Sequence, residues 1–86
     1  MKYQILLEKP AAKFISRLPK NDKERVVRAI ERLPFDGDIK QLRGQKSKGF
    51  FRLRVGDYRI IYTVDSGRLI VRIVDGGNRG QIYDRY

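Results

Sequence analysis

The sequence contains no cysteine and no histidine among its 86 residues. Without cysteine the chain can form neither disulfides nor thiolate metal sites, and without histidine it lacks the commonest metal ligand and general base. A Ser-His-Asp arrangement is therefore excluded, and we expect neither a metal nor another cofactor. The absence of cysteine is in keeping with a reducing, cytoplasmic location.

Long apolar runs are also missing. The first ten residues, MKYQILLEKP, lack the long apolar run and small-residue cleavage site of a signal peptide. No window approaches the roughly 20 apolar residues of a membrane span. We therefore expect no membrane partner and one soluble domain over residues 1–86, since a chain of this length can bury one modest core.

Negative charge is scarce relative to positive charge. Lysine and arginine number 20, aspartate and glutamate number 10, and the formal net charge is +10. An excess of this size on a small domain attracts polyanions. Between residues 40 and 59 there are seven basic residues and a single acid, Asp57. Nucleic acid or an acidic protein is therefore the expected partner.

The apolar periodicity predicts an α+β fold. Residues 3–7 form a short apolar run that is typical of a strand inserted in a sheet. Two segments with helical spacing follow, separated by Pro19, and predict a helical hairpin. Residues 51–55, 58–64 and 69–74 then predict a three-strand antiparallel meander. We expect the helices to cover one face of the sheet and to leave the other face open. The apolar positions of the two helices are Ala11, Phe14, Ile15 and Leu18, then Val26, Val27, Ile30 and Leu33.

The remaining segments are predicted as loops and turns. Residues 34–49 contain three glycines and mixed charges, and they predict a structured loop. Residues 75–78 are predicted to end the last strand, with Gly76 and Gly77 forming a turn there and not a phosphate cradle. The tail after Asn78 either docks over the sheet or frays. Four aromatic residues are expected to face the core: Phe14, Phe35, Tyr58 and Tyr62.

The segment FFRLRVGDYRIIY, residues 50–62, organises the rest of the prediction. Its apolar residues alternate with Arg52 and Arg54, which places both guanidinium groups on one face of a strand and the apolar side chains on the other. Gly56 and Asp57 predict a tight turn into the next strand, which carries Arg59. Arg59 therefore lies close to Arg52 or Arg54, and the register, open by one residue, decides which of them it opposes.

Arginine, lysine and tyrosine are the side chains left for chemistry, and they suit cleavage of RNA without a metal. When a ribose 2′-hydroxyl attacks the adjacent phosphate, negative charge develops on the nonbridging oxygens, and guanidinium groups can stabilise it bidentately. Arginine is a poor base, so a lysine with a lowered pKa or a tyrosine would have to transfer the protons. Tyr83 could also stack on an unpaired base or pack the tail onto the sheet.

Three stretches carry a family resemblance: LRG at residues 42–44, FRLRVGDYRIIY at 51–62, and NRGQIY at 78–83. Together with the order strand, two helices and meander, they make the chain similar to the RelE/ParE superfamily of bacterial and archaeal toxins. The resemblance covers almost the whole chain and implies a β-α-α-β-β-β fold. It also implies a cognate antitoxin whose acidic or amphipathic segment wraps the toxin.

For a RelE-like member, the resemblance implies a ribosome-dependent mRNA interferase that cuts the codon in the A site. The superfamily's catalytic positions then fall on Arg52, Arg54, Arg59, Arg79 and Tyr83. The pair at 52 and 54 is often lysine in relatives, so its replacement by arginine shifts interest for the general base to Lys46, Lys48 or Tyr83. Asn78 also stands where many relatives have histidine or lysine. The residues expected to bind RNA around this site are Arg43, Lys46 and Lys48.

Two alternatives remain open at the level of sequence. A ParE-like member would share the fold but would inhibit DNA gyrase without cutting nucleic acid. A non-catalytic basic RNA-binding module would keep the charge and lose the reaction. The convergent arginines and the terminal tyrosine favour the nuclease, because a gyrase inhibitor has no need of a phosphate-binding set.

Overall fold

The computed structural model describes residues 2–43, 49–79 and 82. Within them the chain forms two helices and one five-stranded sheet with strand order β1-β5-β4-β3-β2. The elements are β1 (Gln4–Leu7), α1 (Lys9–Ser16), α2 (Lys20–Glu31), β2 (Asp38–Gln41), β3 (Phe51–Val55), β4 (Tyr58–Asp65) and β5 (Ile70–Asn78). The predicted α+β class, with an N-terminal strand, a helical hairpin and a meander, is confirmed.

The N-terminal strand is inserted in the sheet as predicted. β1 pairs in parallel with β5, with Ile5 opposite Val71, whereas the other strand pairs are antiparallel. Both helices lie between β1 and β2, and the chain then returns strand by strand through β3 and β4 to β5, next to β1. β1 and β2 therefore form the two edges of the sheet.

Both helices bury one apolar stripe against the same face of the sheet. Pro10 lies in the first turn of α1, where its missing N–H leaves no helical hydrogen bond unmade, and Ala11 and Ile15 are buried one turn apart. In α2, Val26 and Ile30 are buried at the same spacing. The strands contribute Leu53, Ile60, Tyr62, Val71 and Ile73 to this core.

The segment predicted as one structured loop contains a strand. Asp38–Gln41 forms β2 and pairs with β3, with Ile39 opposite Leu53. Its four residues include one apolar side chain, Ile39, so no alternation was visible in the sequence. Gly37 precedes it with φ of 133°, and a Cβ there would approach Leu53 Cδ1 to 2.8 Å.

The prediction that residues 75–78 end the last strand is wrong. β5 continues through Gly76 and Gly77 to Asn78 and stays paired with β4. Gly76 is needed in the strand because α1 packs closely above it: a Cβ there would lie 2.4 Å from Phe14 Cδ2. The register of the β4–β5 pair shifts by one residue between Ile61 and Tyr62, where Val74 is the extra residue of a β-bulge.

The sheet face opposite the helices is not open as predicted. Side chains on that face include Ile61, which is 0% exposed, and Asp75, which is 7% exposed. Ile82, from the C-terminal segment, is also 0% exposed although it lies outside the core between helices and sheet. At Ile82 the chain therefore docks on the folded domain.

The predicted orientation of the aromatic residues is correct for three of the four. Tyr58 and Phe14 meet edge to face with ring centroids 5.7 Å apart, and Tyr62 is buried in the core. Phe35 is 70% exposed and makes an edge-to-face contact with Tyr3 at 5.5 Å, so its predicted place in the core is wrong. Phe35 lies between the end of α2 and the start of β2, so no helix or strand directs its side chain inward.

Candidate functional site: an arginine face on the sheet

The register between β3 and β4 brings three predicted site residues onto one face of the sheet. Arg54 pairs directly with Arg59, and Arg52 pairs with Ile61. Because paired residues share a face and side chains alternate along a strand, Arg52, Arg54 and Arg59 all point away from the helices. The register that the sequence left open therefore places Arg59 opposite Arg54.

β2 extends this surface with two residues that the sequence did not single out for the site. Lys40 pairs with Arg52, and Asp38 pairs with Arg54, so both lie on the same face as the arginines. Sequence reasoning missed them because it treated this stretch as a loop, and a loop has no register. We call the surface formed by Asp38, Lys40, Arg52, Arg54 and Arg59 the arginine face.

One carboxylate connects two of the arginines. Asp38 Oδ2 lies 2.6 Å from Arg54 Nε, and Asp38 Oδ1 lies 3.1 Å from Arg52 Nη2. The Arg52 side chain is 14% exposed, and its buried Nε finds no hydrogen-bond partner among the residues that the structure describes. Each oxygen of the carboxylate thus serves a different guanidinium group.

Arg59 occupies a more enclosed position than the other two arginines. It is 7% exposed, and its Nη1 donates to Gly56 O at 2.9 Å and to Tyr58 O at 3.0 Å. These bonds satisfy carbonyls of the β3–β4 turn, in which Gly56 has φ of 58°. Arg59 therefore holds the turn as well as contributing charge.

Arg79 and Arg43 lie at the ends of elements near this surface. The Arg79 N–H donates to Asp57 O at 2.8 Å, which fastens the chain after β5 to the β3–β4 turn. Arg43 is exposed and follows β2, where the Leu42 N–H donates to Phe50 O at 2.9 Å. The other predicted site residues, Lys46, Lys48 and Tyr83, lie outside the described residues.

The two strand tyrosines nearest the arginine face belong to the opposite side of the sheet. Tyr58 Oη donates to Asp22 Oδ2 of α2 at 2.7 Å, and this hydrogen bond, with burial, raises the pKa of Tyr58. Burial raises the pKa of Tyr62 to about 12, against an opposing effect of the Arg52 charge. Neither tyrosine can transfer a proton to or from an anion on the arginine face.

Across residues 2–43, 49–79 and 82, no group of three or more acidic side chains is placed to hold a metal ion. No helix in the described part of the chain is long and apolar enough to cross a membrane.

Comparison with known proteins identifies the family. The sequence-family model for the ParE toxin of type II toxin-antitoxin systems, parDE, matches residues 5–83. A chain of the archaeal RelE-RelB complex from Pyrococcus horikoshii OT3 is 27% identical with a TM-score of 0.77, and the match covers 94% of this chain and 99% of that chain. A chain of the toxin-antitoxin complex RelBE2 from Mycobacterium tuberculosis is 26% identical with a TM-score of 0.78, covering 92% and 100%.

A more distant structure shares the fold. A mutant of E. coli toxin RelE in the free state is 18% identical with a TM-score of 0.75, covering 100% of this chain and 92% of that chain. A search of curated proteins found no match. The fold and the matches together define a toxin of the RelE/ParE superfamily. The chain belongs to the ParE toxin family of type II toxin-antitoxin systems.

Proposed function

We propose that this toxin is a ribosome-dependent mRNA endonuclease that acts in the cytoplasm and inhibits translation. It would cut the message in the A site by attack of a ribose 2′-hydroxyl on the adjacent phosphate. The observation that supports this proposal is the convergence of Arg52, Arg54 and Arg59 on one sheet face, where Lys40 adds further positive charge. Guanidinium groups held in fixed positions stabilise charge that develops on the phosphate oxygens.

The geometry suggests different roles for the arginines. Arg54 is exposed on β3 and Arg52 is next to it on the same face, so these two would contact the phosphate. Arg59 is almost fully buried, so it would fix the turn and add positive charge beneath the phosphate. Arg79, fastened to the same turn through its N–H, would bring a fourth guanidinium to this end of the sheet.

The proton transfers require a residue other than these arginines. Tyr58 and Tyr62 are unsuitable, because both face the helices and both have a raised pKa. The candidates are therefore those that the family resemblance indicates, Lys46, Lys48 and Tyr83. Replacing Tyr83 with Phe separates its two possible roles, since stacking on a base survives and the hydroxyl is lost.

The proposal is tested by translating a message with purified ribosomes in the presence of the toxin. Primer extension on that message then locates the cleavage sites. The wild-type toxin should produce breaks at codon-defined positions. Arg54→Ala should reduce cleavage about 10²–10³-fold, the loss that follows removal of one charge-stabilising donor. Arg68→Ala is the matched control, because it removes the same charge from an exposed turn. An intact message with wild-type toxin, or full activity of Arg54→Ala, would contradict the proposal.

Inhibition of DNA gyrase is the second candidate, and the match to the ParE family model favours it. In that case the arginine face would bind a protein surface and would cut no nucleic acid. A supercoiling assay with purified gyrase separates the two functions: inhibited supercoiling with intact message supports the ParE-like function. Binding of RNA without cleavage or gyrase inhibition would instead indicate a non-catalytic basic module.

A cognate antitoxin is the proposed protein partner. The P. horikoshii structure is a RelE-RelB complex, and the M. tuberculosis structure is a toxin-antitoxin complex. For this chain, with net charge +10, an acidic or amphipathic antitoxin segment has complementary charge. Such a partner at a hundred times its dissociation constant would stabilise the folded toxin by about 2.7 kcal/mol.

A further inference from the structure

The arginine face contains one carboxylate, that of Asp38, which was not among the predicted site residues. Asp38 lies on the edge strand β2, and its carboxylate spans the two arginines of β3. It reaches Arg54 straight across the strand pair and Arg52 along the diagonal, two residues away on the same face. The contact to Arg52 is a charge-assisted hydrogen bond in which Nη2 donates to Oδ1 at 3.1 Å, and the contact to Arg54 is an ion pair with 2.6 Å between Nε and Oδ2.

The placement of the two carboxylate oxygens matches what a phosphodiester would offer. A phosphodiester has two nonbridging oxygens on one centre, and here Oδ1 accepts from Arg52 Nη2 while Oδ2 forms the ion pair with Arg54 Nε. A phosphate bound between the two arginines would therefore compete with Asp38 for Arg52 Nη2 and Arg54 Nε.

The buried Nε of Arg52 gives a second, independent indication that the carboxylate is an incomplete ligand. Nε has no hydrogen-bond partner among the described residues, although the Arg52 side chain is only 14% exposed. A buried donor without an acceptor is costly. A differently placed anion could accept from Nε and Nη2 together, because both donors lie on one edge of the guanidinium group.

We propose that the Asp38 carboxylate occupies the anion site of Arg52 and Arg54 in the free toxin, competes there with other anions, and is displaced by an RNA phosphate. In the free protein the carboxylate holds the two guanidinium groups in place and offsets part of their mutual repulsion. On binding, the phosphate takes over both donors and the exposed Asp38 side chain turns to solvent. Asp38 thereby lowers the affinity of the site for anions, so weakly held phosphates are released.

This inference rests on the proposed function for the identity of the anion as RNA, whereas occupation of the site can be measured without cleavage. The probes are inorganic phosphate and a short single-stranded RNA with 2′-O-methyl sugars, which has no free 2′-hydroxyl and cannot be cut by the proposed reaction. Affinity is measured by NMR titration of the full chain, with the arginine Nε–H signals as reporters.

Asp38→Asn is the informative variant, because it keeps the size of the side chain and removes its charge. It should bind both probes about three- to tenfold more tightly than wild type, as expected when a partly exposed ion pair no longer competes. A purely structural role predicts the opposite, since disordering the arginines would weaken binding. Asp38→Glu, which restores the charge, should return affinity toward the wild-type value.

Asp65→Asn is the matched control. It removes the same charge from another Asp–Arg pair, Asp65–Arg68, at the far end of β4. Asp65 lies six residues along β4 from Arg59, roughly 20 Å at the rise of an antiparallel strand. This variant should leave the affinity for both probes within a factor of two of wild type, which separates the local effect from a change in net charge.

A measurement on the wild type keeps the inference testable if Asp38→Asn folds poorly. When phosphate saturates the Arg52 and Arg54 signals, the Asp38 carboxyl carbon should shift as the carboxylate leaves the guanidinium groups. An unmoved carboxyl carbon, or unchanged or weaker binding by a folded Asp38→Asn, overturns the inference. If Asp38→Asn binds more tightly but wild type cuts no message, the anion site stands and the nuclease proposal falls.

Discussion

The two faces of the sheet differ in how the chain builds them. The helix face is an apolar layer in which each strand contributes alternate residues, such as Leu53, Ile60 and Val71, to one core with α1 and α2. The arginine face carries charged side chains from β2, β3 and β4, and its arrangement depends on which residues stand opposite one another. A packed core tolerates little change in volume, whereas a charged face depends on the geometry of a few polar contacts.

The largest expected difference between the faces is in stability. Ile60→Ala removes a side chain that is fully buried between sheet and helices, and it should lower the free energy of unfolding by about 2–5 kcal/mol. Arg54→Ala, on the opposite face of the neighbouring strand, should lower it by less than about 1 kcal/mol, since its ion pair is half exposed. Urea unfolding followed by circular dichroism measures both, and equal losses would contradict the comparison.

Close packing on the helix face can be tested without removing any atom. Gly76→Ala adds one methyl group that would lie 2.4 Å from the Phe14 ring, so the Phe14 side chain or α1 must shift. We expect a loss of about 1–3 kcal/mol in unfolding free energy, typical of overpacking. Gly67→Ala, in an exposed turn where a Cβ has a nearest contact at 3.5 Å, is the control and should be close to neutral. A thermal melt distinguishes the two variants.

Arg59 combines features of both faces, because it lies on the arginine face and is buried like a core residue. Arg59→Ala removes the donors of Gly56 O and Tyr58 O, and it should cost about 1.5 kcal/mol of stability. It should also reduce cleavage in the message assay. Loss of cleavage with unchanged unfolding free energy would mean that the turn does not depend on the guanidinium group.

An effect of a different kind is confined to alkaline pH. The pKa of folded Tyr62 is raised by burial from 10.0 to about 12, so the folded state favours the neutral phenol. Its contribution to stability is fully present below pH 10 and is lost as the pH rises towards 12. Unfolding free energies measured in urea from pH 9 to pH 12 should therefore fall less steeply for Tyr62→Phe than for wild type. Parallel pH profiles would contradict this assignment.

The sequence allowed much of the helix face to be predicted, because its signals are local. Alternation in residues 51–55 and helical spacing at Val26 and Ile30 each report burial within a short window. β2 was missed because an edge strand of four residues with a single apolar side chain gives no such signal. The continuation of β5 was missed because Gly76 is explained by Phe14, more than 60 residues earlier in the chain.

The candidate site was predicted in part for the same reason. The alternation of Arg52 and Arg54 with apolar residues is a local pattern, so their common face followed from the sequence. The position of Arg59 opposite Arg54, and the presence of Asp38 and Lys40 beside them, depend on strand register and could not be read from any one segment.

The hydrogen bonds at the β3–β4 turn have a consequence for protein engineering. Gly56 O and Asp57 O accept from the side chain of Arg59 and the main chain of Arg79, so this short turn joins the hairpin to the end of β5. New termini or a reporter peptide inserted between Gly56 and Asp57 would disturb both attachments at once. Ser66, Gly67 and Arg68, exposed in the turn at the opposite end of β4, are the better position for circular permutation or for a label.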